Sequence, residues 1–453
     1  MAAVRRFPVR MFLVFWLFVL SAVAFLDRTN ISIAGPAIRS ELGIDNVRLG
    51  WVFSAFLIGY AGFQVVGGWL ADRLGSRRIL AFGVLWWGAF TALTAAISPR
   101  LPHALLLMIL VRVALGMGEA VVYPASNHFV ARWIPVAERG KANGWIFAGV
   151  GAGAGLTPPL LNWIIQHFGW RASFWFSALI GVLVGTIWFL IARDTPEEHP
   201  LVTKEELTKI EAGRSTDLAL NAPSTNTLPW QALVLNRNVL AMTLSYFSFG
   251  YVAWIFFSWF FIYLAQVRKL DLKSSALYSM IPFLAMTACC LLGGAITDAL
   301  TRRYGLRLGR CGIATFALAL TSVFLVLGPR AQSPQLASII LAGGAGALYL
   351  AQSSFWSVSA DISGKRSGMV SGVMNMGGQL GGAVTASLTP YIAGRYGWNA
   401  AFFVAATLAL IGACLWLLID PGQSLNVVRA FSSENRLSQE SDREQFRVLS
   451  QKP

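Results

Sequence analysis

Long apolar runs recur along this chain at a length that few structures can accommodate. A bilayer hydrocarbon core about 30 Å thick is crossed by roughly 20 residues of helix. Twelve runs reach that length, at 11–32, 49–71, 78–98, 102–124, 140–166, 172–192, 238–267, 275–300, 310–328, 335–358, 367–392 and 398–419. In lipid, every backbone N–H and C=O must find its partner inside the protein, which leaves helices and closed barrels. None of the runs shows the strict two-residue alternation of a barrel strand. The expected fold is therefore an all-α membrane protein with twelve transmembrane helices. Composition agrees: only 13% of the 453 residues are charged and 56% are hydrophobic, whereas a soluble domain carries roughly 25% charge.

The first run has a second reading. Arg5, Arg6 and Arg10, followed by Met11–Leu20 and Ala22-Val23-Ala24, resemble a cleavable signal peptide. The run continues to Phe25-Leu26 before meeting Asp27-Arg28, so an uncleaved first span is the expectation. The net charge of +15 would suggest nucleic acid in a soluble protein, but its placement argues against that partner. Counting loops alternately, 25 Lys and Arg fall on the side of the N-terminus, 9 on the other, and two, Arg28 and Arg112, inside the spans. By the positive-inside rule both termini are cytoplasmic. The implied location is the plasma membrane, as in a bacterial inner membrane. Cys289, Cys290, Cys311 and Cys414 lie in apolar runs without metal-ligand spacing and read as small hydrophobes.

The chain also repeats itself. Gly68-Trp-Leu-Ala-Asp72 returns as Gly294-Ala-Ile-Thr-Asp298, 226 residues on, and Phe168-Gly-Trp-Arg-Ala172 returns as Tyr396-Gly-Trp-Asn-Ala400, 228 residues on. Two matches at nearly one offset imply two six-helix halves in parallel orientation. The boundaries that follow are an N-terminal half over 1–193, a cytoplasmic linker over 194–237, a C-terminal half over 238–420 and a polar cytoplasmic tail over 421–453. The stretch Thr203–Arg214 within the linker suits a short amphipathic helix on the membrane surface. Paired six-helix halves with a midplane site between them are a transporter plan.

Gly68-x-x-x-Asp72-Arg73-x-Gly75-x-Arg77-Arg78 resembles the signature loop of the major facilitator superfamily. In that family the loop helps lock the two halves on the cytoplasmic side. The resemblance implies a conformational gate formed by Gly68, Asp72, Arg73, Gly75, Arg77 and the repeat's Asp298. Leu26-Asp27-Arg28-Thr29-Asn30 and Arg112-Val-Ala-Leu-Gly116-Met-Gly118-Glu119-Ala120 are similar to the anion:cation symporter branch, which carries sugar acids, other carboxylates or phosphate. That resemblance covers nearly the whole chain and implies a monomeric carrier, without cofactor or metal, that takes a small organic anion and protons.

A charged side chain at the centre of a span costs ~2.5–3.5 kcal/mol, so Asp27, Arg28, Arg112 and Glu119 together would cost roughly 10–14 kcal/mol without partners. Structural salt bridges are one use for such a set and transport chemistry is another. Arg112 and Glu119 are seven apart and share a helix face, whereas adjacent Asp27 and Arg28 point apart. While both acids are ionised each arginine is neutralised, and protonation of an acid releases an arginine for a carboxylate. In the resembled branch the matching acids are proton sites and the matching arginines serve substrate binding or coupling. That assigns Asp27 and Glu119 to protons and Arg28 and Arg112 to the anion.

Tyr60, Gln352, Asn375 and Gln379 are further substrate-binding candidates, each with an inter-helix packing bond as the alternative. Tyr246, Tyr251, Trp254 and Trp259 form either a cavity wall or a lipid-facing belt. His128 and His167, near helix ends, are expected at the surface. Two departures from the branch stand out. Phe25 replaces a frequent Tyr, and Gly149-Val-Gly-Ala-Gly-Ala-Gly155 lacks the Gln by which galactonate-type carriers hold substrate. The chain has no nucleotide-binding loop, no HExxH-like helix and no Ser with an evident base, so it is not read as an enzyme or an ATP-driven pump. A proton-independent exchanger or uniporter and a non-transporting sensor remain the alternatives.

Overall fold

The structure, a computed structural model, describes residues 8–44, 46–213, 235–270, 272–423 and 425. Much of the expected linker and most of the tail therefore lie outside the described residues. No strand occurs among those described. The helices are α1 (Val9–Leu42), α2 (Asn46–Leu74), α3 (Ser76–Ala96), α4 (Ala104–Glu119), α5 (Val122–Trp133), α6 (Arg139–Phe168), α7 (Trp170–Ile191) and α8 (Lys204–Ala212). Beyond the linker follow α9 (Arg237–Ser258), α10 (Leu272–Leu306), α11 (Ile313–Leu327), α12 (Pro334–Leu350), α13 (Gln352–Ser363), α14 (Ser367–Tyr396) and α15 (Trp398–Trp416).

Nine helical stretches among the described residues are long and apolar enough to cross a membrane. Their outward faces carry the evidence of what surrounds them: Ile58 is 68% exposed, Leu156 71% and Leu179 59%. A surface this apolar is stable in lipid and prone to association in water. The multi-pass membrane reading of the sequence thus holds. Several helices outrun the apolar runs that announced them. α1 continues to Leu42, past the run ending at 32, because its polar end is held outside the apolar layer: Glu41 accepts hydrogen bonds from Trp170 and Arg171, both at 2.7 Å. α5 continues to Trp133 because Ser126, Asn127 and His128 are buried against protein and not against lipid.

Small residues set the helix spacing. At Gly116 in α4 an added Cβ would stand 2.2 Å from the Phe56 carbonyl oxygen of α2. Gly149 and Gly153 of α6 approach the α1 backbone, and Gly151, on the other face, meets Thr287 of α10. The glycine-rich middle of α6 is therefore a contact strip to two helices at once. Gly75, at φ 88°, makes the turn between α2 and α3 that other residues adopt only with strain.

The charged stretch after α7 does form a helix, and it docks on protein. Thr203 caps α8 by accepting from the Glu206 N–H. Glu206 in turn accepts from the backbone N–H groups of Val9 and Arg10 at 3.1 Å, satisfying donors left open at the start of α1. Arg10 also donates to Glu206 and Glu138, and Lys209 donates to Glu138. Ile210 is fully buried beneath this ionic knot.

Two outcomes are expected. Gly116→Val forces α2 and α4 apart against backbone atoms, an overpacking that costs ~1–3 kcal/mol. It should lower the thermal midpoint of the purified protein in detergent, and an unchanged midpoint contradicts the close approach. The second concerns Glu138: its burial disfavours the charged form, but the bonds from Lys209 and Arg10 prevail and hold its pKa below the usual glutamate value. Such a group stabilises the docked state above its unfolded pKa, and that contribution is lost as pH falls through the depressed value. A spin label at Glu211→Cys, in a chain with the four native cysteines replaced, should grow mobile on acidification. Glu138→Gln should mobilise it already at neutral pH.

Candidate functional site

A cavity of about 350 Å³ lies between α1, α2 and α6 on one side and α9, α10, α13 and α14 on the other. Arg28, Tyr60, Gln352, Asn375 and Gln379 all face it, brought together from 28 to 379 along the chain by four different elements. Tyr246 and Trp254 of α9 also line it, which decides between cavity wall and lipid belt for those two. Tyr251 points elsewhere, bonding Thr389 through its hydroxyl at 3.3 Å. Tyr123, one turn beyond Glu119, lines the cavity as well and bonds Ser21 at 3.0 Å.

Behind the Arg28 wall the two acids and two bases form one neutral set. The Arg28 Nε donates to Glu119 in a direct ion pair, with Glu119 wholly buried. The guanidinium lies over Tyr60 at 4.3 Å and Phe25 at 4.8 Å, contacts that favour a cation. Asp27, on the neighbouring face of α1, accepts from Thr91 of α3 at 2.9 Å, and Arg112 is its leading charge partner. The set is only partly hydrogen-bonded. Asp27 Oδ2, Glu119 Oε2, Arg28 Nη2 and Arg112 Nε and Nη1 are buried without a protein partner.

A second group of contacts closes the face that carries the start of α1. Asp72 accepts from the backbone N–H groups of Gly368 and Met369 at 2.8 and 2.9 Å, capping the N-terminus of α14. Asp298 does the same at the N-terminus of α6, accepting from Gly140 at 2.8 Å and Lys141 at 2.6 Å. Gly68 abuts Gly368, where a Cβ would stand 2.1 Å from the carbonyl oxygen. Around the second cap Arg139 pairs with Asp361 at 2.6 Å, and Arg310 joins Asp361 to Asp298. Among the described residues, the hydrogen bonds linking residues before 213 to those after 235 gather between this face and the level of the Asn375–Gln64 bond.

Comparison with known proteins settles the family. The sequence profile described as Major Facilitator Superfamily matches residues 17–386 and 300–450. This chain belongs to the major facilitator superfamily. A probable sulfoacetate transporter, SauU of Cupriavidus necator, is 33% identical over 403 residues, 88% of this chain and 91% of its own. A probable galactarate/D-glucarate transporter, GudP of Bacillus subtilis, is 29% identical over 93% of this chain and 97% of its own. Among solved structures, the proton:xylose symporter XylE, bound to 6-bromo-6-deoxy-D-glucose, superposes with a TM-score of 0.72 at 14% identity over 93% of this chain and 98% of its own, and so shares the fold. The superfamily is one of transporters and not of enzymes.

Within that fold several expectations need correction. Arg112 was expected beside the anion, but it does not line the cavity. It sits one turn before Gly116, on the face pressed to α2, and its guanidinium lies over Phe56 at 5.0 Å. Glu119, expected to approach Arg112 along a shared face, pairs instead with Arg28. Among the described residues, Arg73 and Arg77 make none of the closing contacts. Arg73 lies over Trp69 at 4.4 Å, while Arg77 donates to Asp194 and the Phe189 carbonyl, all before residue 200. His128 is buried, not superficial, and bonds Asp72 at 2.9 Å. His167 is at the surface, as expected. Of the four cysteines, Cys414 is exposed along α15. Sequence reasoning missed Asp361, Arg139, Arg310, Thr91 and Gln64. Asp361 fell just past an apolar run drawn to 358, and the two arginines were counted as loop charges.

The Arg28–Glu119 pair makes a quantitative prediction. Truncating one partner of a buried pair leaves the other charge uncompensated, at a cost of ~3–5 kcal/mol, whereas apolar replacement of both is often neutral. Arg28→Met and Glu119→Leu should each lower the thermal midpoint strongly. The double variant should recover most of the loss, and additive losses would contradict the pairing.

Proposed function

We propose that this protein is a secondary active transporter that moves a small organic anion together with protons across a plasma membrane by alternating access. Relatives named for sulfoacetate and for galactarate and D-glucarate support an anion as cargo, and extend the candidate class to sugar acids and other carboxylates. Twelve spans fit the helices best. α6 and α14 have 30 residues each, enough for ~45 Å at 1.5 Å per residue, though Gly, Ser and Thr dilute their hydropathy. The apolar stretch Leu277–Arg330 is interrupted at Gly305, whose φ and ψ of 84° and 171° are not helical. The proposed division is a six-helix half over 1–193, a linker over 194–237, a second half over 238–420 and a tail over 421–453, with both termini cytoplasmic and a monomer as the working unit. Capping of α14 by Asp72 and of α6 by Asp298 supports two related halves, since each aspartate caps the helix of the opposite half.

The observation that carries the mechanism is that Arg28 belongs to two places at once. Its Nε is held by Glu119 while the side chain lines the cavity. With Glu119 ionised, that corner is neutral and offers an anion little. A proton on Glu119 removes the competing carboxylate and leaves the guanidinium for the anion, so proton and anion favour each other's binding. Asp27 is the second proposed proton site, with Arg112 as its counter-charge and Thr91 as its hydrogen-bond donor. Tyr60, Gln352, Asn375 and Gln379 complete the proposed substrate site. Gly68, Asp72 and Asp298 form the proposed cytoplasmic gate.

The test separates coupling from carriage. In proteoliposomes, Glu119→Gln and Asp27→Asn should abolish accumulation driven by an inward proton gradient while keeping exchange of internal for external substrate. Retention of full gradient-driven uptake by both variants would rule out the coupling scheme and favour the proton-independent exchanger.

A further inference from the structure

The charge and surface of the cavity restrict the cargo more narrowly than the names of the relatives do. Arg28 is the only cation among the described lining residues, and its Nη2 is buried with no protein partner. The second positive charge of the buried set, Arg112, lies against Phe56 and outside the cavity. One guanidinium neutralises one anionic group. A second carboxylate or sulfonate on the same molecule would be held in a largely apolar cavity with no second cation among the described lining residues, which is unfavourable.

The rest of the wall is equally selective. Aromatic side chains dominate it, with Trp254 and Phe257 of α9 and Phe283 of α10 facing the Arg28 wall. A polyhydroxylated chain needs a hydrogen-bond partner for each hydroxyl it buries. The polar groups available here are few, and some are already engaged. Tyr246 accepts from Gln352 Nε2 at 3.0 Å, and Asn375 donates to Gln64 at 3.0 Å. Ser32 and Tyr349 also line the cavity, and the uncharged polar lining atoms that are fully buried without a protein partner are the Tyr60 hydroxyl beside Arg28 and, on the opposite wall, the Oε1 atoms of Gln352 and Gln379. These two oxygens only accept, so they suit a donor such as a single hydroxyl.

Resting on the reading of this cavity as the substrate site, we propose that the cargo is a monoanion with an apolar, preferably aromatic, body: a carboxylate held by Arg28 and Tyr60, with a hydroxyl donor received by Gln352 or Gln379. The dianions in the relatives' names, galactarate, D-glucarate and sulfoacetate, are poor cargo for this chain. A volume of about 350 Å³ lies near the small end of ligand sites and suits a single-ring acid.

The experiment measures binding and flux separately on the full-length protein. Thermal-shift titration in detergent would compare 4-hydroxybenzoate, phenylacetate and hexanoate with D-glucarate, galactarate and sulfoacetate, and proteoliposome uptake would use the same six. The aryl monoanions should bind at least tenfold more tightly than any dianion. Gln352→Leu with Gln379→Leu should erase the preference for the hydroxylated ring over phenylacetate. Gln379→Arg, which adds the missing second cation, should move preference towards the dianions. Equal or tighter binding of a dianion by the unaltered protein overturns the proposal, even if transport proceeds. Tight binding of aryl monoanions without flux supports the ligand class assigned to the cavity while refuting the transport reading. No binding by any of the six refutes it.

Discussion

Four charges in an apolar layer are the constraint on which the rest of this structure depends. Each would be costly alone, so the helices that bear them must stay adjacent. α1 supplies Asp27 and Arg28, and α4 supplies Arg112 and Glu119. α2 and α3 are drawn into the same cluster by Phe56, Tyr60 and Thr91. Gly116 then has a clear purpose: without a side chain it lets α2 close on α4, and this brings the aromatic faces within reach of both guanidinium groups. Packing and electrostatics are therefore one problem at this site. The set balances to zero charge, yet several of its atoms stay without partners. A purely structural network would be expected to satisfy them.

The closing contacts follow a different physical rule. A helix N-terminus leaves its first N–H groups unpaired and carries partial positive charge. Asp72 and Asp298 each satisfy two such donors on a helix distant in sequence, α14 and α6 respectively. The two caps differ in what supports the aspartate. His128 stands behind Asp72, whereas Arg310, Asp361 and Arg139 stand behind Asp298. The backbone cap repeats while its side-chain support does not, so two matching loops are stabilised by unlike chemistry.

The fold was legible in the sequence because lipid imposes so few solutions. Run length and the lack of two-residue alternation pointed to membrane-crossing helices, of which nine long apolar stretches stand among the described residues, and Asp72 and Asp298, 226 residues apart, both cap helix starts. The charges were legible for the same reason: an ionised group in an apolar run is conspicuous. Their partners were not. Helical phase placed Arg112 and Glu119 on one face but did not reveal that α1 would bring Arg28 to Glu119 first. His128 illustrates the limit most simply. Near a helix end its sequence context looks superficial, and only the crossing of α2 over α5 buries it against Asp72. The gate arginines failed in the opposite sense. Arg73 and Arg77 sit inside the signature pattern, but their guanidinium groups lie over Trp69 and Phe189, each at 4.4 Å.

The buried charges and the closing contacts are joined by a single short element. Glu119 ends α4, and the chain passes through Ala120 and Val121, both in helical backbone conformation, into α5, so that Ala104–Trp133 runs as one helical stretch. From there α5 presents Tyr123 to the cavity, Asn127 to Ser359 and the Ser367 carbonyl, and His128 to Asp72. The twelve residues of α5 span ~18 Å at 1.5 Å per residue. α12 passes in the same way through Ala351, in helical backbone conformation, into α13 at Gln352, so the facing wall of the cavity has the same construction. Ser359 and Asp361 on α13 then bond Asn127 and Arg139. Both walls of the cavity thus continue directly into the contacts that close the face below it.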